Sequence, residues 1–213
     1  MFPEGLSIVK ITTQEQRVEA LKIFKEVYVE EKGWVGDPED LLPTSDLTRH
    51  EVDWFGVEIE GKMLGITRVL YELPTELYKE YGFKLTTPGL DVEAFIRDNK
   101  IAEVGRFAVL AEARKGFTVA ALLMRASGEA ALQRGFSHFL TDVFEDDPNT
   151  PLGFHRRVLG FQEVASHEVG ELNCKSRRIT MLLDLNQARE RIAKGKGWFF
   201  RFLNQAKLPE MVN

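Results

Sequence analysis

Apolar and polar positions change period several times along the chain, and each change marks an element. "SIVKITT" alternates and predicts a short first strand. "TQEQRVEALKIFKEVYVEEKG" runs at helical spacing, with Thr13 as its cap and Val18, Leu21, Phe24 and Tyr28 as its apolar face. The Pro-, Gly- and Asp-rich "WVGDPEDLLPTSDLTRH" predicts a loop. In "WFGVEIEGKMLGITRVLYEL", Phe55, Val57 and Ile59 alternate, "EGK" turns, and Leu64, Ile66, Arg68 and Leu70 alternate again, which predicts a hairpin. Arg68 then shares a face with three apolar residues, where a desolvated guanidinium needs a partner. Residues 72–100, broken by Pro74, Gly82, Pro88 and Gly89, predict two short helices. A strand follows at 101–110, then a long helix over 116–134 that stops before Gly135. "FSHFLTDVF" is a strand, "NTPLGFHRRVLGF" holds a short helix with Pro at its start, and "FQEVAS" and "RRITMLLDL" are the closing strands.

This order predicts an α/β (α+β layered) domain over residues 1–185, with helices on both faces of a sheet. No glycine fingerprint follows the first strand, which argues against a dinucleotide-binding fold. Residues 186–213 form a basic, aromatic tail in which Trp198, Phe199, Phe202 and Leu203 predict one amphipathic helix. Such a helix packs on the domain, docks an acidic partner or makes peripheral contact with a membrane. The net charge of −5 argues against nucleic-acid binding. The single cysteine, Cys174, fits a reducing cytoplasm and has no catalytic role. His50, His138, His155 and His167 are scattered without ligand spacing, so no metal site is expected.

The chemistry concentrates in "IAEVGRFAVLAEARKGFTV". Strict alternation puts Ile101, Glu103, Gly105 and Phe107 on one face and Val104, Arg106 and Ala108 on the other. Gly105 is the expected bulge residue; a bulge there splays the strand and turns Glu103 and Arg106 into one cleft. A splayed strand also frees backbone groups for an extended ligand. "ARKGFT" then brings Arg114, Lys115, Gly116, Phe117 and Thr118 to a helix N-terminus, an anion site by geometry and dipole.

Splayed strand, basic turn, long helix, strand and short helix ending in "LGF" together resemble the acyl-donor half of GNAT-type N-acyltransferases. The resemblance implies a mixed, mostly antiparallel sheet with a splayed central strand. It also implies a phosphopantetheine thioester donor, held along Phe107, Ala108 and Val109 and at residues 114–118. "RKGFTV" departs from the family's coenzyme A pattern, because Gly116 is displaced and Thr118 stands where a small residue is usual. That fits an acyl group on acyl carrier protein. The front half, with "IFKEVYVEEKGWVG" and "AEVGRF", is similar to the N-acyl amino acid synthases and acyl-homoserine lactone synthases. Matching site positions are Phe24 or Tyr28, Trp34, Asp46, Arg68, Glu103 and Arg106. Phe24 or Lys25 stands where the lactone synthases carry an arginine, and only Asp46 matches their paired loop acids, so an amino-acid-like acceptor is expected.

For that reaction Glu103 is the expected base for the amine, given burial that raises its pKa. Backbone N–H groups at Phe107–Val109 would hold the oxyanion. Arg68 and Arg106 would grip an acceptor carboxylate, and Tyr28 and Trp34 would close the pocket. Asp46 reads as a loop cap unless it meets Arg68 or Arg106. His155 lies near the position of the family's thiol-protonating tyrosine and reads first as an exposed helical histidine. Two other readings stay open: an acetyl-coenzyme A N-acetyltransferase, and a non-catalytic ligand-binding domain on the same fold.

Overall fold

A computed structural model describes residues 5–73, 80–206 and 208. Eight strands form one sheet: β1 (Leu6–Lys10), β2 (Val52–Ile59), β3 (Lys62–Leu70), β4 (Lys84–Leu85), β5 (Ile101–Val109), β6 (His138–Phe144), β7 (Gln162–His167) and β8 (Arg178–Asp184). Their order is β1-β2-β3-β5-β6-β8-β7-β4. Every pairing is antiparallel except β5 with β6. The hairpin turns at Glu60 and Gly61, both at positive φ (50° and 78°), the conformation that a two-residue reversal requires.

Helix α1 (Gln14–Phe24) starts with a capping box between Thr13 and Gln16 and continues as a π-helical segment, Lys25–Glu31. Its buried face is the expected one only in part, for Phe24 and Tyr28 lie on it and Val18 does not. Val18 is 43% exposed, while Arg17, Ala20, Ile23, Phe24, Val27 and Tyr28 are buried. Arg17 is tolerated there because its Nε donates to the Leu42 carbonyl at 2.8 Å and its Nη2 meets Glu39. The second short helix expected in 72–100 is α2 (Val92–Asp98); residues 74–79, where the first would fall, lie outside the described residues. β4 is an unexpected exposed strand of two residues on the sheet's far edge.

Helix α3 (Thr118–Gln133) covers the face opposite α1 and ends at Gly135, φ 79°. A short helix, α4 (Leu152–Phe154), runs into a π-helical turn, His155–Leu159, closed by Gly160 at φ 92°. The tail forms two helices, α5 (Leu185–Lys194) and α6 (Trp198–Gln205), rather than the single one expected. Leu203 is 1% exposed, and Phe199 and Phe202 pack against the main core. Leu203 is therefore buried on the domain, with Phe199 and Phe202 half-buried beside it. No helix among the described residues is long and apolar enough to cross a membrane.

Two hydrophobic clusters flank the sheet. One gathers Phe55, Val57, Val69, Val104 and Val109 with α3; the other gathers Trp54, Ile66 and Ala108 with α1. Val104 and Ala108 sit four positions apart, yet they face opposite clusters. A strand that kept its period of two would leave them together, so an extra residue must intervene.

Candidate active site

That extra residue lies at Arg106–Phe107. Arg68 of β3 stands opposite Gly105 and Ile66 opposite Ala108, which leaves Thr67 facing two residues of β5. The left-handed residue is Arg106, at φ 50°, and not Gly105 as expected. Gly105 serves another purpose: a Cβ there would lie 3.0 Å from Glu103 Oε1. Its carbonyl accepts from Thr67 Oγ1 at 3.0 Å, which anchors the bulge. Phe107 consequently crosses to the α3 side, away from Glu103 and Gly105.

On its other edge β5 pairs with β6 only at Ile101, Ala102 and Glu103, opposite His138, Phe139 and Leu140. Beyond Glu103 the two parallel strands share no ladder and diverge. The opening is a cleft of about 480 Å³ lined by Glu103, Gly105, Arg106, Phe107 and Val109 on one side and by Thr141, Asp142, Val143 and Phe144 on the other. Its size suits a small-molecule site.

Glu103 stands where the ladder ends, and its Oε1 accepts from Arg68 Nη2 at 2.7 Å. Both side chains are only 15% exposed. Arg106 pairs through Nη2 with Glu171, on the loop between β7 and β8. The Nε atoms of both Arg68 and Arg106 are buried and have no hydrogen-bond partner. An unmet buried donor costs about 1–3 kcal/mol, and more on a charged group. Two such donors beside one cleft point to an anionic ligand.

Tyr28 is buried at the cleft wall, and its hydroxyl donates to the Phe107 carbonyl at 3.2 Å. Burial pushes that hydroxyl up to about 12, so it remains a proton donor at neutral pH. Trp34 packs on Tyr28 (5.2 Å between centroids) and on Phe144 (4.4 Å), closing the cleft from the α1 side. Arg114 Nε donates to the Val109 carbonyl at 2.9 Å. Leu110 N–H donates to Leu64 of β3, so the backbone of Ala108, two residues earlier, also faces β3. Phe107 and Val109 alternate with it, and their backbone groups face the open edge. Ala108, expected on the donor groove, is instead opposite Ile66 and buried in the α1-side core.

The expected anion turn is only partly on the cleft. Arg114 and Phe117 line it; Lys115 is exposed and Thr118 is buried at the start of α3, and neither of these two lines it. Phe117 is left-handed (φ 57°) and stacks on Phe154 at 5.0 Å, tying the start of α3 to α4. Asp46 pairs with Arg49 and not with Arg68 or Arg106. Its carboxylate takes Trp54 Nε1 at 3.1 Å and Arg49 at 3.3 Å and lines a separate pocket, so the condition set for a role in the cleft, contact with Arg68 or Arg106, is not met. His155 is buried rather than exposed; its Nδ1 lies 3.0 Å from the Pro151 carbonyl, and burial pushes its pKa down to about 4.

Several lining residues carried no signal in the sequence. Asp142 faces the cleft and lies 3.0 Å from His167 Nε2 and 2.7 Å from Thr180 Oγ1. Arg178 is buried and gathers the carbonyls of Glu168 (2.7 Å), Leu172 (2.9 Å) and Cys174 (3.4 Å). It thereby shapes the loop that delivers Glu171 to Arg106. Tyr81, from the irregular insert, also lines the cleft and stacks on His167.

No family model matches the chain, and no curated protein matches it. Solved structures share its architecture. FeeM, an N-acyl amino acid synthase from uncultured soil microbes, matches with a TM-score of 0.65 at 18% identity, over 87% of this chain and 93% of that one. Aminoglycoside 6'-acetyltransferase type Ii matches at 0.59 and 12% identity, over 84% of this chain and 96% of that one. Spermidine N-acetyltransferase from Vibrio cholerae matches at 0.58 and 13% identity, over 89% of this chain and 99% of that one. The chain therefore has the fold of the GNAT N-acyltransferases, as the resemblance of its central segment implied.

Proposed function

We propose that the chain is an N-acyltransferase that moves an acyl group from a phosphopantetheine thioester to the amine of a carboxylate-bearing, amino-acid-like acceptor. The observation that carries this reading is the divergence of β5 from β6 immediately beyond Glu103, with Arg68 and Arg106 beside it. An extended thioester arm fits between the strands as an inserted third strand. Its carbonyl would lie near Phe107 and Val109, whose backbone groups face the opening. The acceptor carboxylate would take the unpartnered Nε donors of Arg68 and Arg106.

The amine then attacks the thioester carbon. A C–N bond forms, the carbonyl electrons move to oxygen, and the backbone N–H groups of β5 stabilise that charge. Glu103 accepts the amine proton, with Arg68 fixing its orientation. When the tetrahedral adduct collapses, the C–S bond breaks and the thiolate receives a proton from Glu103. The apolar wall of Val27, Val143, Phe144 and Leu172 suits an acyl chain longer than acetyl, and acyl carrier protein is the donor proposed.

The test is an assay of purified protein with long-chain acyl-acyl carrier protein, the matching acyl-coenzyme A and acetyl-coenzyme A, each with a mixture of amino acids, read by mass spectrometry. N-acyl amino acids from a long-chain donor are expected. Product from acetyl-coenzyme A alone would establish the acetyltransferase reading instead. Absence of product with every donor, with ligand binding retained, would leave a non-catalytic binding domain.

A further inference from the structure

The mouth of the cleft is bridged by charge. Arg114, at the turn after β5, is held on all three sides of its guanidinium. Its Nε donates to Val109, its Nη1 to Glu31 Oε1 at 2.9 Å, and its Nη2 to Glu31 Oε2. Glu31 ends the π-helical extension of α1, and its Oε1 also accepts from Asn149 Nδ2 at 3.3 Å. Lys32, the next residue, pairs with Asp147 at 2.6 Å. Asp147 and Asn149 belong to the loop after β6. The chain of contacts Arg114–Glu31–Asn149, with Lys32–Asp147 alongside, thus joins the end of β5 to the end of β6 across the gap between them.

We infer that Glu31 is a donor-selecting residue, a carboxylate that occupies the turn's arginine in place of a donor phosphate and disfavours nucleotide-bearing thioesters. The inference rests on the proposed acyltransfer reading and adds which thioester the site admits. Arg114 is the cation of the turn that lines the cleft; Lys115 is exposed and does not. Arg114's hydrogen bonds hold Glu31 below the usual carboxylate range, so Glu31 is ionised at neutral pH and its charge cancels that of Arg114, with Lys32 a second cation at 3.4 Å. A carrier-bound arm brings one phosphodiester charge to this mouth. A coenzyme A arm brings a pyrophosphate and a 3′-phosphate, and meets that carboxylate at close range. Like charges there act through a partly screened medium, so one added carboxylate changes polyanion binding by about tenfold.

The experiment compares wild type, Glu31→Gln and Glu31→Asp. Binding of desulfo-coenzyme A is measured by calorimetry at low and high salt, and acyl-coenzyme A is set against acyl carrier protein with the same acyl chain. Glu31→Gln should tighten desulfo-coenzyme A binding about tenfold at low salt and less at high salt, as expected for removal of one charge near a polyanion. It should raise the coenzyme A to carrier-protein ratio of kcat/KM by a similar factor, while Glu31→Asp, which keeps the charge, stays near wild type. Unchanged binding in Glu31→Gln, or the same gain in Glu31→Asp, overturns the inference. Absence of amide product with either donor would sink the acyltransfer reading, and the binding arm would still decide the role of Glu31.

Discussion

Two of the concavities in the fold are nearly equal in size, and they differ in whether their charges are satisfied. The second, about 460 Å³, lies between the ends of β1 and α3 and is lined by Lys10, Asp46, Arg49, Asp53, Trp54 and Arg134. There Asp53 takes Lys10 at 2.8 Å, Arg134 at 3.1 Å and the Tyr71 hydroxyl at 2.7 Å. Arg134 also donates to the His50 carbonyl and lies over the Tyr71 ring at 4.3 Å. Among the described residues lining it, no buried side-chain nitrogen or oxygen lacks a partner, whereas the β5/β6 cleft leaves Arg68 Nε and Arg106 Nε unmet. A closed set of partners clamps structure together; open donors beside a cleft leave hydrogen-bonding capacity there for a ligand. Buried charge by itself distinguishes neither.

The contrast predicts that the two pockets fail differently. The largest effect should come from Glu103→Gln, which keeps an oxygen for Arg68 and removes the base. Turnover in a single-turnover assay should fall about a thousandfold, within the usual range for a lost general base, with the melting temperature unchanged. Retained turnover would move the chemistry off Glu103. Asp53→Asn should do the reverse. Removing a charge that holds two cations and a tyrosine should cost about 3 kcal/mol in urea unfolding and lower Tm by about 6–12 °C. Its kcat/KM should stay within about twofold, since Asp53 lies outside the β5/β6 cleft. A stability loss below about 1 kcal/mol would show that the satisfied network is dispensable.

Much of this layout was legible in residue pattern because it depends on local rules. A glycine and two charges inside an apolar strand announced the irregularity in β5, and the helix signals at Thr13 and Gly135 held. The bulge itself was misplaced by one residue. A glycine is the default for a left-handed φ, but Gly105 is needed where a side chain would crowd Glu103, so Arg106 takes the strained position. The face of α1 was right at Phe24 and Tyr28 and wrong at Val18, because Arg17 is buried in its place by partners 22 and 25 residues away. Asp46 is held by nearer partners, Arg49 and Trp54, three and eight residues away, through a loop whose path no periodicity reveals. Glu171, Asp142 and Arg178 reach the cleft through long-range pairing of β6, β7 and β8, and nothing in their local spacing marks them.

Smaller substitutions sharpen the comparison inside the cleft. Arg106→Lys keeps a cation for Glu171 but loses the Nε donor and the planar fork. The acceptor KM should rise about tenfold with kcat changed less, the pattern of lost ground-state binding. An unchanged acceptor KM would mean that the unmet donor serves no ligand.

Gly105→Ala is the finest probe, because it adds one methyl group and no charge. Gly105 does not sit in the left-handed region, so alanine can adopt its backbone. Losing a glycine also restricts the unfolded chain, which favours folding by about 0.4–1 kcal/mol. The added Cβ would lie 3.0 Å from Glu103 Oε1, the same oxygen that Arg68 holds at 2.7 Å. The carboxylate must therefore yield by a few tenths of an ångström or loosen its grip on Arg68. A displaced base is a poorer base, and kcat should fall about fivefold, equivalent to about 1 kcal/mol in the barrier, while Tm holds or rises. A methyl group that left both kcat and Tm untouched would show that Glu103 is held too loosely for its position to matter.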